Sequence, residues 1–199
     1  MINRPFSQAC ENNKGPIAEQ LQVFFADRKK VLEIGSGTGQ HAVFFAPKLA
    51  HLIWQTSDMP NNHSGINNWL EEYPADNLSA PISFTIGKDE WPDMDIDAVF
   101  TANTTHIMQA VDAQEMMRLV TQKLPVGAVF CQYGPFNVEG NYTSDSNHNF
   151  DQHLKNEGCG GIRDIAELQE WAGTMKLLAR LQMPANNFLL VWRKEVQVN

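Results

Sequence analysis

The stretch Val-Leu-Glu-Ile-Gly-Ser-Gly-Thr-Gly at residues 31–39 constrains the fold more than any other part of the chain. Its short apolar run reads as a buried strand, which glycines 35, 37 and 39 break at every second position. Glycine reaches positive φ without strain and lets a backbone lie close to a ligand. Residues 40–49 follow with a helical pattern that Pro47 disturbs near its end. Strand, glycine turn and helix in this order make a nucleotide-type site, and such units build parallel α/β sheets.

The rest of the chain keeps the alternation. Apolar residues at 17, 21, 24 and 25 predict a helix over residues 16–25, with Pro16 in its first turn. Further strands are expected at 51–56, 82–86, 96–101 and 128–133, and further helices at 65–73, 113–124 and 165–172. The linker at 87–95 is too short for a full helix and is expected as a tight loop. Two last strands, 176–182 and 188–193, are joined only by Met183-Pro184-Ala185-Asn186-Asn187, which is too short for a parallel crossover, so they pair antiparallel. The predicted class is therefore α/β: a mostly parallel seven-stranded sheet with an antiparallel C-terminal hairpin strand and helices on both faces. A chain of 199 residues suits a single domain. Residues 134–163 are polar and turn-rich and leave a strand end directly, where open parallel sheets bind ligands. They are expected to form a lid or substrate wall.

The third glycine selects the ligand. A dinucleotide fingerprint needs glycine or alanine at position 40, where this chain has Gln40, and no Gly-Lys-Ser/Thr follows to cradle a triphosphate. Glu33, two residues before the first glycine, repels a pyrophosphate but attracts an α-ammonium group. Asp58 lies some 20 residues past the turn, the spacing of a ribose-diol acceptor. Together these features favour an aminoacyl sulfonium nucleoside, S-adenosylmethionine, over a nicotinamide dinucleotide.

These residues resemble the class I S-adenosylmethionine-dependent methyltransferases. Residues 31–39 are similar to that group's first motif, Asp58 to its second-strand acid, and Gly-Lys-Asp-Glu-Trp-Pro at 87–92 to its third loop. The resemblance implies a Rossmann-like methyltransferase fold in which Glu33, Gly35, Gly37, Thr38, Gly39 and Asp58 bind the cofactor. It also implies that Asp89 contacts the adenine amine, Trp91 packs near the base and Asn103 lines the methionine end. Within the fold, Arg4-Pro5-Phe6-Ser7, Ala102-Asn103-Thr104, His106-Ile107-Met108, Tyr133-Gly134-Pro135-Phe136 and Gly161-Ile162-Arg163-Asp164 look like the methyltransferase-like 26 family. That family implies S-adenosylmethionine dependence and brings no acceptor with it.

His106, at the start of the segment after the fourth strand, is either a base or substrate contact or a structural cap. Tyr133, at the end of the fifth strand, is either a rim hydroxyl facing substrate or a core aromatic. These two are the candidate catalytic residues. Methyl transfer needs positioning above all, and a base only where the acceptor is protonated, so no triad is required. His148, Asp151 and His153 lack partners at metal-ligand spacing and are expected to face solvent or substrate, with no metal bound. Cys131 reads as a small buried hydrophobe, and Asn186 and Asn187 as turn residues. Arg4, Asn12, Asn13 and Lys14 are expected to precede the first helix, either folding over cofactor or substrate or forming a loosely held terminus.

Net charge of −8 argues against a nucleic-acid partner, which wants clustered Lys and Arg. No apolar run approaches the roughly 18 residues of a membrane span, the polar start leads us to expect no secretion signal, and Cys10, Cys131 and Cys159 form no paired motif. A reduced, cytoplasmic compartment is the expectation. The expected partner is a small-molecule or protein methyl acceptor. The alternative is a non-catalytic sensor or interaction module that binds S-adenosylmethionine or S-adenosylhomocysteine without turnover.

Overall fold

A computed structural model describes residues 4–196. Thirteen strands and α-helices run α1 (Gln8–Phe24), β1 (Lys30–Ile34), α2 (Gln40–Phe45), β2 (Ile53–Asp58), α3 (His63–Glu72), β3 (Leu78–Ser83), β4 (Ala98–Ala102), α4 (Ala110–Lys123), β5 (Val129–Gly134), α5 (Asp145–Asn156), α6 (Ile165–Trp171), β6 (Met175–Met183) and β7 (Asn187–Lys194). The strands form a seven-stranded sheet in the order β3-β2-β1-β4-β5-β7-β6. β1 pairs parallel with β2 and β4, and β2 with β3, whereas β7 is antiparallel to both β5 and β6. The mixed sheet expected from the alternation is thus present, with β7 as its antiparallel strand. Backbone contacts divide the chain into two compact units, the first ending at Phe100 and the second starting at Thr101.

In the first unit β1 and β2 are buried almost throughout, as strands covered on both faces must be. Phe45, Trp54 and Phe100 pack there as a three-ring cluster with centroids 5.5–5.7 Å apart. Pro47 ends α2 as expected, and the chain continues through a 3-10 turn, Ala46–Leu49. Two elements differ from expectation. β3 lies at Leu78–Ser83, earlier than residues 82–86, because β2 captures this segment: Thr56 Oγ1 donates to Ser79 O and Gln55 Nε2 to Ala80 O. Pro81 inside β3 is tolerated because this is an edge strand. Helix α1 starts at Gln8 and not near residue 16, so Asn12, Asn13 and Lys14 lie within it, and Pro16 sits in its interior. An interior proline costs about 3 kcal/mol. Offsetting that are the Ser7 cap, whose side chain accepts from Cys10 N, the burial of Ile17, Ala18 and Leu21, and the buried contact of Asn13 Oδ1 with His41 Nε2 at 2.7 Å.

In the second unit the largest revision concerns residues 134–163, which carry a 12-residue helix where a loop is expected. Ser144 caps α5 by accepting from Asn147 N, and the buried positions 147, 151 and 154 recur at helical spacing. Several anchors hold the segment within this unit. Asn147 Nδ2 donates to Asn186 O in the β6–β7 turn, Asp151 Oδ1 accepts from Ile162 N, and Gly161 N donates to His106 O. Asn186 itself is at φ 56°, the left-handed conformation that its turn requires.

Candidate functional site

In the first unit, the turn after β1 is held open by its own backbone. Gly35, Gly37 and Gly39 adopt φ of 72°, 59° and 90°, values that only glycine takes without strain. Gly39 is also required by packing, since a Cβ there would lie 3.1 Å from Ile66 Cα of α3. Around Gly37 nothing lies within 4 Å of a Cβ position, so its backbone faces open space.

Two acids support this turn from different sides. Asp58, the last residue of β2, takes Gly37 N–H on Oδ2 at 2.7 Å, and on Oδ1 it takes Met59 N–H and the Asn62 amide. Oδ2 thereby keeps a second lone pair for a ligand hydroxyl. Glu33 is buried beneath the turn, where Oε2 accepts from Ser36 Oγ at 2.9 Å and from Trp54 Nε1 at 3.0 Å. Burial pushes the Glu33 carboxyl up to about 7, against the pull of those two hydrogen bonds. Ser57 joins the same network: its hydroxyl donates to Glu33 O, its N–H donates to Ser36 Oγ, and its carbonyl takes Gly35 and Ser36 N–H. Trp54, Ser36, Ser57 and Asn62 were not picked out by the sequence. Trp54 reads there as one more apolar strand residue, and only the four-residue step from Asp58 to Asn62 hints at the amide partner.

Gln40 is buried as well, and it connects the turn to α1. Its Oε1 accepts Ser7 N–H at 2.6 Å and the Thr38 hydroxyl at 3.1 Å, while Nε2 donates to Glu11 Oε1 at 2.9 Å. Pro5 is fixed by the Trp69 indole, which donates to its carbonyl, and Arg4 stacks on the Trp69 ring 4.4 Å from the centroid. Between this N-terminal strap and the turn lies a cleft of about 450 Å³, lined by Pro5, Gly37, Thr38, Asn61, Asn62, Ser64, Gly65 and Asn68. Asp89 is exposed and closes its own turn by accepting Thr85 N–H at 2.7 Å. Trp91 meets Phe84 edge-on.

The second unit carries Asn103, His106 and Tyr133 at the carboxyl ends of β4 and β5. Asn103 takes φ 56°, and its N–H donates to Tyr133 O, so a side-chain amide stands where β4 stops. Tyr133 is buried within β5, which continues to Gly134. Gln132 beneath them donates to Thr105 Oγ1 and accepts from the Trp192 indole. His106 is 5% exposed and meets Phe150 edge-on at 5.4 Å. Burial alone pushes its imidazole down to about 4, so the ring is neutral at physiological pH. Burial raises the Cys131 thiol far above its ordinary range, which leaves it inert as a nucleophile. His148 and His153 are exposed on α5, and Asp151 is committed to Tyr142, Lys155 and Ile162 N. Among the described residues no group of three or more His, Cys, Asp or Glu is placed to hold a metal ion. No helix among them is long and apolar enough to cross a membrane.

A family described as a protein of unknown function (DUF938) matches residues 4–194. The chain belongs to that family. Solved structures extend the comparison to fold. An O-methyltransferase family 2 protein from Planctomyces limnophilus in complex with apigenin superposes with a TM-score of 0.82 at 15% identity, over 94% of this chain and 57% of its own. An O-methyltransferase family protein from Burkholderia thailandensis gives 0.79 at 13% identity, over 93% and 57%. PigF with SAH gives 0.73 at 15% identity, over 90% and 56%. This DUF938 chain thus has the Rossmann-like fold of those methyltransferases and spans a little over half the length of each.

S-adenosylmethionine suits the first unit's turn on the chemistry of its donors and acceptors. The open backbone at Gly37 admits a close ligand, Asp58 Oδ2 has a lone pair for a ribose hydroxyl, and the two buried acids, Glu33 and Asp58, favour a cation over a pyrophosphate.

Proposed function

We propose that this chain is an S-adenosylmethionine-dependent methyltransferase, akin to the methyltransferase-like 26 family, acting on a small-molecule or protein acceptor. The observation that carries the reading is the Gly37–Asp58 hydrogen bond over a buried Glu33. It brings a glycine backbone, a ribose-type acceptor and an ammonium-type acceptor together in one unit. The superposition on O-methyltransferase family proteins and on PigF with SAH supports it.

In this reading Asp58 holds the ribose diol, the turn formed by Gly35, Gly37, Thr38 and Gly39 lies along the aminoacyl end, and Glu33 offsets its positive charge. Asp89 serves the adenine amine. When bound, the cofactor supplies an activated methyl carbon, so the protein's own task is to orient groups and exclude water. His106 and Tyr133 are the second unit's acceptor-side residues. A neutral imidazole such as His106 accepts a hydrogen bond without bringing charge of its own.

Calorimetry with S-adenosylmethionine, S-adenosylhomocysteine and NADH tests the cofactor. Binding of the first two, lost in Asp58→Ala, is the expected outcome, and binding of NADH alone overturns the reading. Methyl-donor consumption over metabolite pools then tests turnover. Tight binding with no acceptor in any pool would make the chain a sensor.

A further inference from the structure

The carboxyl ends of β4 and β5 leave two polar side chains with nothing to bind. Neither imidazole nitrogen of His106 has a hydrogen-bond partner among the described residues, although the residue is 5% exposed; its one side-chain contact of note is the Phe150 ring. The side-chain amide of Asn103, at its strained φ of 56°, also lacks a partner among them. Asn103 is half-buried, and neither side chain has a polar atom among the fully buried unpartnered ones, so both present polar atoms to an approaching ligand. Backbone strain in a residue other than glycine likewise persists where the surroundings enforce it, often at a binding site.

These two groups converge on one place. From the position where a Cβ would project at Gly134, His106 Nδ1 is 3.8 Å away, Asn103 Oδ1 3.9 Å and Phe136 Cζ 3.8 Å. The missing side chain of Gly134 therefore leaves a notch with two polar walls and an aromatic one. The three atoms nearest that position carry no formal charge. Asp151 and Lys155 are paired with each other, and Arg163 is committed to the carbonyls of Gly160 and Gly161.

We infer that this notch receives the methyl acceptor through an uncharged hydroxyl group on an apolar or aromatic body. The inference rests on the methyltransferase reading for its word acceptor, and on the notch alone for the hydroxyl. The hydroxyl donates to His106 Nδ1 and accepts from the Asn103 amide, which presents its NH2 by rotating about its last torsion. Neither a carboxylate nor a cation is among the three atoms nearest that position. Asn103 is thereby assigned to the acceptor and not to the methionine end. S-adenosylmethionine, if bound, would supply the methyl group to that oxygen and keep the bonding pair on its sulfur. The hydroxyl proton passes to His106 Nδ1 and then to water.

Phenol is the probe, titrated into the full chain by ligand-observed NMR with anisole, benzoate and benzylammonium as comparisons. His106 ring resonances report the place of binding. Expected are saturable His106 shifts with phenol and an affinity at least tenfold above each of the other three. Gly134→Ala should weaken phenol at least tenfold, because its methyl fills the notch at ordinary contact distance with all three walls and so does not strain the fold. His106→Phe keeps the ring against Phe150 and should bring phenol and anisole to equal affinity, an effect that lost packing alone does not produce. Equal binding of phenol and anisole to the wild type, preference for a charged probe, or an unaffected Gly134→Ala overturns the inference. S-adenosylhomocysteine binding is measured in parallel. If it fails while phenol behaves as expected, the cofactor reading falls and the hydroxyl notch stands.

Discussion

The glycine turn of the first unit and the β4–β5 ends of the second solve opposite problems. Around the turn nearly every polar group is already paired: Asp58 with Gly37 and Asn62, Glu33 with Ser36 and Trp54, Gln40 with Ser7 and Glu11. At Gly134 the polar groups of Asn103 and His106 stand unpaired. A rigid turn suits a ligand whose shape never varies, because pre-organisation lowers the entropy lost on binding. Free donors and acceptors suit a group that must be held loosely until it reacts. Substitutions on the two sides should therefore have distinct signatures: stability and cofactor affinity move together at the turn and separately in the second unit.

The sharpest break of this contrast is Asp58→Ala. It removes the partner of Gly37 N–H and of Asn62 in one step. Calorimetry should show S-adenosylhomocysteine affinity falling about 100-fold, roughly 3 kcal/mol, and the melting temperature should fall in parallel. Unchanged stability with lost binding would mean that the turn does not depend on its acid.

Glu33→Gln should show the cost of a buried acid. The folded state holds the Glu33 proton up to about pH 7, against an ordinary value near 4.5, so wild-type stability drops as pH rises through that window and levels off above it. The variant has no proton to lose. It should melt like wild type at pH 4.5 and be more stable at pH 8, by on the order of 3 kcal/mol. His41 and His106, both pushed down to about 4 by burial, act with the opposite sign, costing stability as pH falls from about 6.5. They cancel in the comparison because both proteins carry them. A melting difference independent of pH would refute the raised carboxyl.

A smaller effect is expected from Asp151→Ala in the second unit. It frees the Tyr142 hydroxyl, Ile162 N–H and Lys155, and should cost about 2 kcal/mol. Denaturant melts should register that loss while S-adenosylhomocysteine affinity stays within twofold. Smallest is Gln40→Ala, which unties Ser7 and Glu11 from the turn at about 1 kcal/mol. Hydrogen exchange should show faster exchange in the first turns of α1, with the rest of the first unit unchanged.

How much of this was legible varied with how local the cause was. The glycine turn reads directly, since three positive φ angles need three glycines. Asp58 and Gln40 stand out by spacing, yet their partners do not: nothing about Trp54 announces that its indole reaches Glu33 across the β1–β2 register. Helix α1 was missed at its start because Pro16 is a stronger local signal than Ser7, and contacts from Gln40 and His41 override it. Helix α5 was missed because two of its three buried positions, Asn147 and Asp151, are polar, which hides the periodicity. β3 slipped because Pro81 argues against a strand and only the edge position removes the objection.

The sequence by itself determined the α/β alternation, the antiparallel final hairpin and the chemistry of the turn, because each depends on residues close together in the chain. Tertiary structure alone decided which polar groups are satisfied. Whether Glu33 keeps its proton, and whether Asn103 and His106 find partners, depends on neighbours distant in sequence and on burial, neither of which a local pattern encodes.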